Sequence, residues 1–158
     1  MLKPSTYKPH ALWFSKDDAF AFPVRGAEDD AAWAAISTEW ARKVSQARET
    51  GDLTPILIEG QTPTLFSVTP MPAATLRKVI DRFGAGHIGP AEMASIVFRA
   101  CVTSISNFGA YEIKTTRDPD YGRMATADLV QILDEINPAI VGEIGGYIFE
   151  RATNPSPK

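Results

Sequence analysis

Three residues have side chains typical of a reaction centre: Cys101, His10 and His87. A cysteine beside a histidine can form a nucleophile pair, and two histidines can contribute to a zinc site. Cys101, however, falls on the apolar stripe of a predicted helix, where a cysteine most often behaves as a small hydrophobic residue. The histidines are far apart and have neither an i, i+4 partner nor a C-x-x-C motif beside them. The sequence therefore predicts no catalytic residue and no metal.

Acidic residues occur in pairs, as in sites of general acid–base catalysis. The pairs are Asp17–Asp18, Asp29–Asp30, Asp118 with Asp120, and Asp134–Glu135. Adjacent carboxylates on a helix point in different directions, and Asp-Pro-Asp is a common turn composition. We therefore expect these residues to form turns or to face solvent rather than to act in catalysis.

Gly84, Gly86 and Gly89 match the G-x-G-x-x-G spacing of a dinucleotide-binding turn. That turn must follow a strand, so that it delivers the pyrophosphate to the N-terminus of the next helix. A predicted helix precedes these glycines instead. We interpret Gly84 as the C′ residue of that helix, and Gly89–Pro90 as the N-cap and first residue of the next. The sequence thus predicts no cofactor and no small-molecule substrate.

The composition is that of an ordinary globular protein, with 158 residues, 44% of them hydrophobic. A net charge of −3 provides no basic field for phosphates, so nucleic acid is not expected as a partner. No apolar run approaches the ~20 residues of a membrane span, and no signal peptide is visible. A single cysteine suits a reducing compartment. We therefore expect a soluble intracellular protein.

The order of patterns predicts an α+β fold, mostly helical, with about five helices and a small antiparallel sheet or hairpin in the N-terminal half. We expect an extended leader over 1–10, a single domain over 11–152 and a flexible tail over 153–158. The predicted hairpin joins 53–59 to 64–69. The predicted helices cover 29–49, 73–83, 90–107, 127–136 and 139–151.

Apolar spacing within these helices predicts their buried faces. Trp33, Ile36 and Trp40 fall on one stripe of the first helix, and Ile80 and Ile136 fall on the inner faces of later ones. In the last helix Gly142 and Gly146 form a small-x-x-x-small pattern, which predicts close packing against a neighbouring helix.

The polar connection over 107–122 is the best candidate for function, because a connection of this length without strong internal structure is uncommon unless it is functional or disordered. It combines aromatic and basic side chains, which are enriched at protein contacts. An alternative is that Phe108 and Tyr111 fold back to cover helix ends. The predicted protein-contact residues are Phe108, Tyr111, Lys114, Arg117, Tyr121 and Arg123.

Three short motifs follow one another in the C-terminal half. These are Ser106-Asn107-Phe108, then Leu129-x-x-x-Leu133-x-x-Ile136-Asn-Pro138, and finally Val141-x-Glu143-Ile144-Gly-x-x-Ile148-x-Glu150-Arg. With these motifs, the region of about 64–151 resembles the tail-assembly-chaperone-like and minor structural proteins of tailed bacteriophages. The resemblance implies a non-enzymatic protein that binds tail tube or tape-measure proteins during assembly. The Trp/Phe-rich N-terminal third has no counterpart in it.

Three functional hypotheses follow. The first is a bacteriophage morphogenesis protein, either an assembly chaperone or a minor virion component, which binds other phage structural proteins or itself as a homo-oligomer. It would act in the host cytoplasm during assembly or stay in the virion. The second is a small regulatory or adaptor domain that binds one host protein through 107–122. The third is an enzyme that uses Cys101 or His87.

Overall fold

Five helices and two small antiparallel sheets make up residues 11–154, the part of the chain that the computed structural model describes. The predicted α+β, mostly helical fold is confirmed. The helices are α1 (Asp30–Thr50), α2 (Ala73–Gly84), α3 (Pro90–Cys101), α4 (Ala127–Ile136) and α5 (Ala139–Thr153). The strands are β1 (Ala11–Leu12), β2 (Leu65–Val68), β3 (Val102–Ser106), β4 (Thr115–Asp118) and β5 (Gly122–Ala125).

The three-stranded sheet has the order β1-β2-β3. The predicted hairpin, in which 53–59 pairs with 64–69, is therefore wrong. In this sheet Leu12 pairs with Phe66, and Phe66 pairs with Ile105. The 53–59 segment forms a turn, and its Leu57 makes only an isolated bridge with Phe20. Both edges of β2 are already taken by β1 and β3, so no edge is left for the 53–59 segment.

The third helix is shorter than predicted, because it ends at Cys101 and continues directly as β3. Val102 and Ile105 are β-branched and favour a strand, and pairing with β2 supplies the backbone hydrogen bonds that the helix gives up. The strand ends at Ser106, and the next residue, Asn107, has a φ of 59°, a left-handed conformation that asparagine tolerates better than most residues. Its side-chain amide donates to the Pro63 carbonyl at 3.0 Å.

The main core forms where α3 and α5 pack together, and the close contact is made by Gly145. A Cβ at this position would lie 2.1 Å from the backbone oxygen of Ala94, so only glycine allows the two helices to approach this closely. At Gly142 and Gly146 a Cβ would meet nothing within 4 Å. The prediction of close packing in α5 is therefore right, but the residues chosen for it are wrong.

A second, smaller core lies under the C-terminal half of α1. Val44 and Ala47 of this helix pack with Trp13, Phe20 and Ile56, which come from the connecting segments. Trp13 and Phe20 meet edge to face, with ring centroids 5.0 Å apart. The N-terminal half of α1 is less covered, since Trp33, Ile36 and Trp40 all stay partly exposed.

Three other apolar side chains differ in burial from what their spacing along the helices predicts. Ile80 and Ile136, which were predicted to face inward, are 42% and 61% exposed. Ile136 is the last residue of α4, and no neighbouring element among the described residues covers either side chain. The helical spacing of Met93, Ile96, Val97 and Cys101 predicts that Phe98 projects away from the apolar stripe of α3. Phe98 is instead fully buried against Phe66, with ring centroids 5.7 Å apart.

Most predicted helix ends are confirmed. Asp29 caps α1 by accepting from the Ala32 N–H at 2.7 Å, and Gly51 ends that helix with a φ of 76°. Gly89 is the N-cap of α3 and Pro90 its first residue. Gly84 was predicted to lie one residue beyond α2 but is its last residue. Of the predicted leader and tail, 1–10 and 155–158 lie outside the described residues.

We expect Gly145→Ala to lower the free energy of unfolding by about 3 kcal/mol, because the new methyl group forces α3 and α5 apart. Gly142→Ala is the matched control in the same helix. It should raise stability by about 0.5–1 kcal/mol, since alanine favours a helix and nothing blocks its methyl group. Urea unfolding followed by circular dichroism measures both. Equal stability of the two variants would contradict the close contact at Gly145.

Candidate functional site

Cys101 lies in the main core, and burial raises the pKa of its thiol to about 12. His87 is exposed in the turn before α3, whereas Cys101 is the last residue of that helix. Twelve helical residues span about 18 Å, so the two side chains lie at opposite ends of α3. They do not form a nucleophile pair.

Three of the four acidic pairs shape a turn or a helix cap, and Asp134 and Glu135 are exposed on α4. The Asp17 carboxylate accepts from the Ala19 and Thr64 backbone N–H groups at 2.9 and 3.1 Å. The Asp118 carboxylate accepts from the Asp120 and Tyr121 N–H groups at 2.8 and 3.0 Å. The predicted turn-forming role of Asp118 is therefore confirmed. Within residues 11–154, no three His, Cys, Asp or Glu side chains lie close enough together to hold a metal ion.

The 107–122 connection is more ordered than its sequence indicates, because its second half belongs to the β4–β5 hairpin. Thr115 pairs with Ala125, and Asp118 pairs with Gly122 across the turn. Gly122 has a φ of 81°, which glycine adopts without strain. The signal that could have revealed the hairpin is the Asp118-Pro-Asp-Tyr-Gly122 turn composition between two short strands.

Tyr121, one of the six predicted contact residues, is buried within the domain. Its hydroxyl accepts a hydrogen bond from Arg82 at 3.0 Å, and the Arg82 guanidinium lies 5.1 Å from its ring centroid. Its carbonyl accepts from the Thr75 hydroxyl at 2.9 Å. Tyr121 thus joins the hairpin to α2 and presents little surface to a partner.

Phe108 and Tyr111 are half-buried and pack against the main core, as in the fold-back alternative. Their rings meet edge to face with centroids 6.1 Å apart. The Tyr111 hydroxyl donates to Asp128 at 3.3 Å, and burial together with this carboxylate raises the pKa of the phenol. Tyr111 thus lies at the start of α4, whereas Phe108 lines a cleft of about 400 Å³ beside the exposed Ile136 at the end of that helix.

The remaining predicted contact residues, Lys114, Arg117 and Arg123, are exposed. Arg117 and Arg123 face each other directly across the β4–β5 ladder. Met124, the next residue along β5, is fully buried. Because side chains alternate along a strand, Arg117 and Arg123 point away from the core on the outer face of the hairpin.

An open groove of about 680 Å³ runs between α1 and α5, and sequence reasoning did not identify it. Its apolar lining residues include Phe22, Pro23, Trp33, Trp40, Val44 and Tyr147. Periodicity places the two α1 tryptophans on an apolar stripe, but it does not tell whether the chain itself covers that stripe. Aromatic side chains that are only partly covered are characteristic of contact surfaces.

A polar cluster at the end of this groove holds α1 against α5. The Glu143 carboxylate accepts from Arg48 at 3.0 Å, from the Ser15 N–H at 2.7 Å and from the Ser15 hydroxyl. The Arg48 guanidinium lies between two rings, 5.0 Å from the Trp13 centroid and 5.1 Å from the Tyr147 centroid. We call these five residues the Arg48–Glu143 cluster, and it ties the smaller core to the main helices.

Comparison with protein-family models, curated proteins and solved structures finds no match to this chain. Among the described residues, no helix is both long enough and apolar enough to cross a bilayer.

We expect Cys101 to be almost unreactive in the folded protein. With a thiol pKa of about 12, about one molecule in ten thousand carries the thiolate at pH 8, and the sulfur is also buried. A thiol-reactive chromophore such as 5,5′-dithiobis(2-nitrobenzoic acid) should therefore label the protein only after urea unfolds it. Complete labelling within minutes in native buffer would instead reveal an accessible thiolate.

Glu143→Ala should lower the free energy of unfolding by about 2 kcal/mol, because Arg48 and the Ser15 N–H lose their charged acceptor in a half-buried position. Glu143→Gln keeps a carbonyl acceptor and should be less damaging. Glu49→Ala, which removes an exposed carboxylate beside the same groove, serves as the control and should change stability by less than about 0.5 kcal/mol. Thermal unfolding compares the stability of the three variants. A Glu143→Ala variant as stable as Glu49→Ala would contradict the role of the cluster.

Proposed function

We propose that this protein is a non-enzymatic component of bacteriophage morphogenesis that acts by protein–protein contacts, as an assembly chaperone or as a minor virion component. The observation that carries the contact role is the partly exposed aromatic face of α1, where Trp33 and Trp40 line an open groove. Tryptophan is the residue type most enriched among energetically dominant contact residues.

The surroundings of these tryptophans support a contact role. The groove is bounded by two helices that the Arg48–Glu143 cluster holds together, so its walls are already in place. Binding at a preformed groove costs less conformational entropy than binding that must first order a loop of this chain. The exposed Lys114, Arg117 and Arg123 lie on another part of the surface and supply charged positions for contact.

The assignment to phage assembly rests on the sequence resemblance. In the pattern over α5, Glu143 belongs to the polar cluster, Gly145 makes the close contact with α3, and Ile144 and Ile148 are buried. These residues therefore serve the scaffold, and they would be shared by proteins that use the same helix packing. The proposal places the chain in the host cytoplasm during assembly, or in the virion as a minor component.

Crosslinking in host cells that are producing phage particles tests the proposal. A tagged chain would be crosslinked, purified and analysed by mass spectrometry, with Trp33→Ala/Trp40→Ala compared with the wild type. We expect crosslinks to a tail or head–tail structural protein, and at least fivefold fewer in the double variant. Arg77→Ala/Lys78→Ala changes two exposed residues of α2 and is the control, which should crosslink like the wild type. Circular dichroism verifies that each variant is folded.

Two results would contradict the proposal. Crosslinks to a single host protein, with none to phage proteins, would indicate the adaptor function instead. Particles that assemble normally and remain infectious without the chain would show that it is not needed for morphogenesis. If the proposal holds, the presence or absence of the chain in purified particles separates a virion component from a chaperone.

A further inference from the structure

We infer that the outer face of the β4–β5 hairpin binds an acidic segment of a partner protein, with Arg117 and Arg123 each pairing with a carboxylate. This inference rests on the proposed contact function and names the chemistry of the partner. It starts from the ladder register, in which Arg117 is the direct cross-strand partner of Arg123. Directly opposite residues have Cβ atoms about 4.5–5.5 Å apart, and like charges at such positions destabilise a hairpin.

The described part of the chain does not neutralise this pair. The side chains of Arg117 and Arg123 have no hydrogen bond or ion pair with another described residue. The nearest acids in the hairpin turn are engaged elsewhere, because Asp118 accepts from turn N–H groups and Asp120 pairs with Arg82 at 3.1 Å. The repulsion is therefore left for an external anion to relieve.

Four other arginines of the described chain each have a carboxylate partner, in the pairs Arg25–Asp30, Arg42–Glu39, Arg48–Glu143 and Arg82–Asp120. Beside the hairpin, Arg99 donates from its Nε to the Ala125 carbonyl at 2.7 Å, and it too has no carboxylate partner among the described residues. The hairpin and its neighbour Arg99 thus carry three arginines that have no carboxylate partner among the described residues.

The chemistry favours a protein carboxylate over a nucleic acid. A planar guanidinium matches a carboxylate through two parallel hydrogen bonds, and two adjacent guanidinium groups suit a segment with closely spaced acids. A nucleic acid would need an extended basic surface, whereas the whole chain has a net charge of −3. We therefore commit to an acidic peptide segment as the occupant.

Titration of the ¹⁵N-labelled protein with a hexaglutamate peptide, followed by amide chemical shifts at low salt, tests the inference without knowledge of the natural partner. We expect saturable shift changes confined to about 115–125. They should fall at least tenfold in Arg117→Ala/Arg123→Ala and persist in Arg77→Ala/Lys78→Ala, which removes the same charge from α2. They should also weaken as salt rises, because the pair is exposed.

Shift changes that lie elsewhere, or that persist in Arg117→Ala/Arg123→Ala, would overturn the inference. Hexathymidylate that binds the same face more tightly than hexaglutamate would also overturn it, in favour of a nucleic acid. The premise of repulsion has its own measurement: Arg117→Glu should raise Tm by about 1–2 °C at low salt, since it turns a like-charge pair into an opposite-charge pair. No rise in Tm would remove that premise.

The crosslinking experiment separates failure of this inference from failure of the proposed function. If Arg117→Ala/Arg123→Ala retains all crosslinks to phage structural proteins, the contact function stands and the hairpin inference fails. If the wild type gives no such crosslinks, the proposed function fails whatever the peptide titration shows.

Discussion

The close approach of α3 and α5 at Gly145 is the constraint on which the rest of the fold depends. A Cβ at this position would meet the backbone of Ala94 at 2.1 Å, so the axes can be this near only with glycine there. The end of α3 continues without a break into β3, and its position therefore places the three-stranded sheet. On the other side of the contact, α5 carries Glu143, which holds Arg48 of α1. The contact at Gly145 thus affects where both the three-stranded sheet and α1 lie.

This arrangement leaves two features of the described surface uncovered by the domain itself. Trp33 lies beyond the smaller core and Trp40 packs at its margin, and both tryptophans border an open groove. The β4–β5 hairpin is held from below by Tyr121 and Met124, and its outer face carries two opposed arginines. Both features are preformed by packing elsewhere in the domain. Cys101, the only cysteine, is placed inside the core and is a packing residue.

Features that depend on local chemistry could be predicted from the sequence, and features that depend on distant contacts could not. The Asp29 cap, the Gly89–Pro90 helix start and the bounds of α4 follow from neighbouring residues and are confirmed. The predicted helix through 102–107 is wrong because β2 offers a strand partner that periodicity does not reveal. The choice between Gly142, Gly145 and Gly146 depends on which helix lies opposite. For the candidate site, the sequence predicts Arg117 and Arg123 as contact residues, but their direct pairing follows only from the hairpin register. The burial of Tyr121 depends in the same way on Arg82 and Thr75 of α2.

The most direct test of a contact role for this chain is hydroxyl-radical footprinting of its three tryptophans, free and in the crosslinked assembly. Trp33 and Trp40 are partly exposed at the groove, whereas Trp13 is 3% exposed and serves as an internal control. The account predicts that oxidation of Trp33 and Trp40 falls severalfold on assembly, while Trp13 stays weakly oxidised in both states. Unchanged oxidation of Trp33 and Trp40 in an assembly that contains the chain would contradict it.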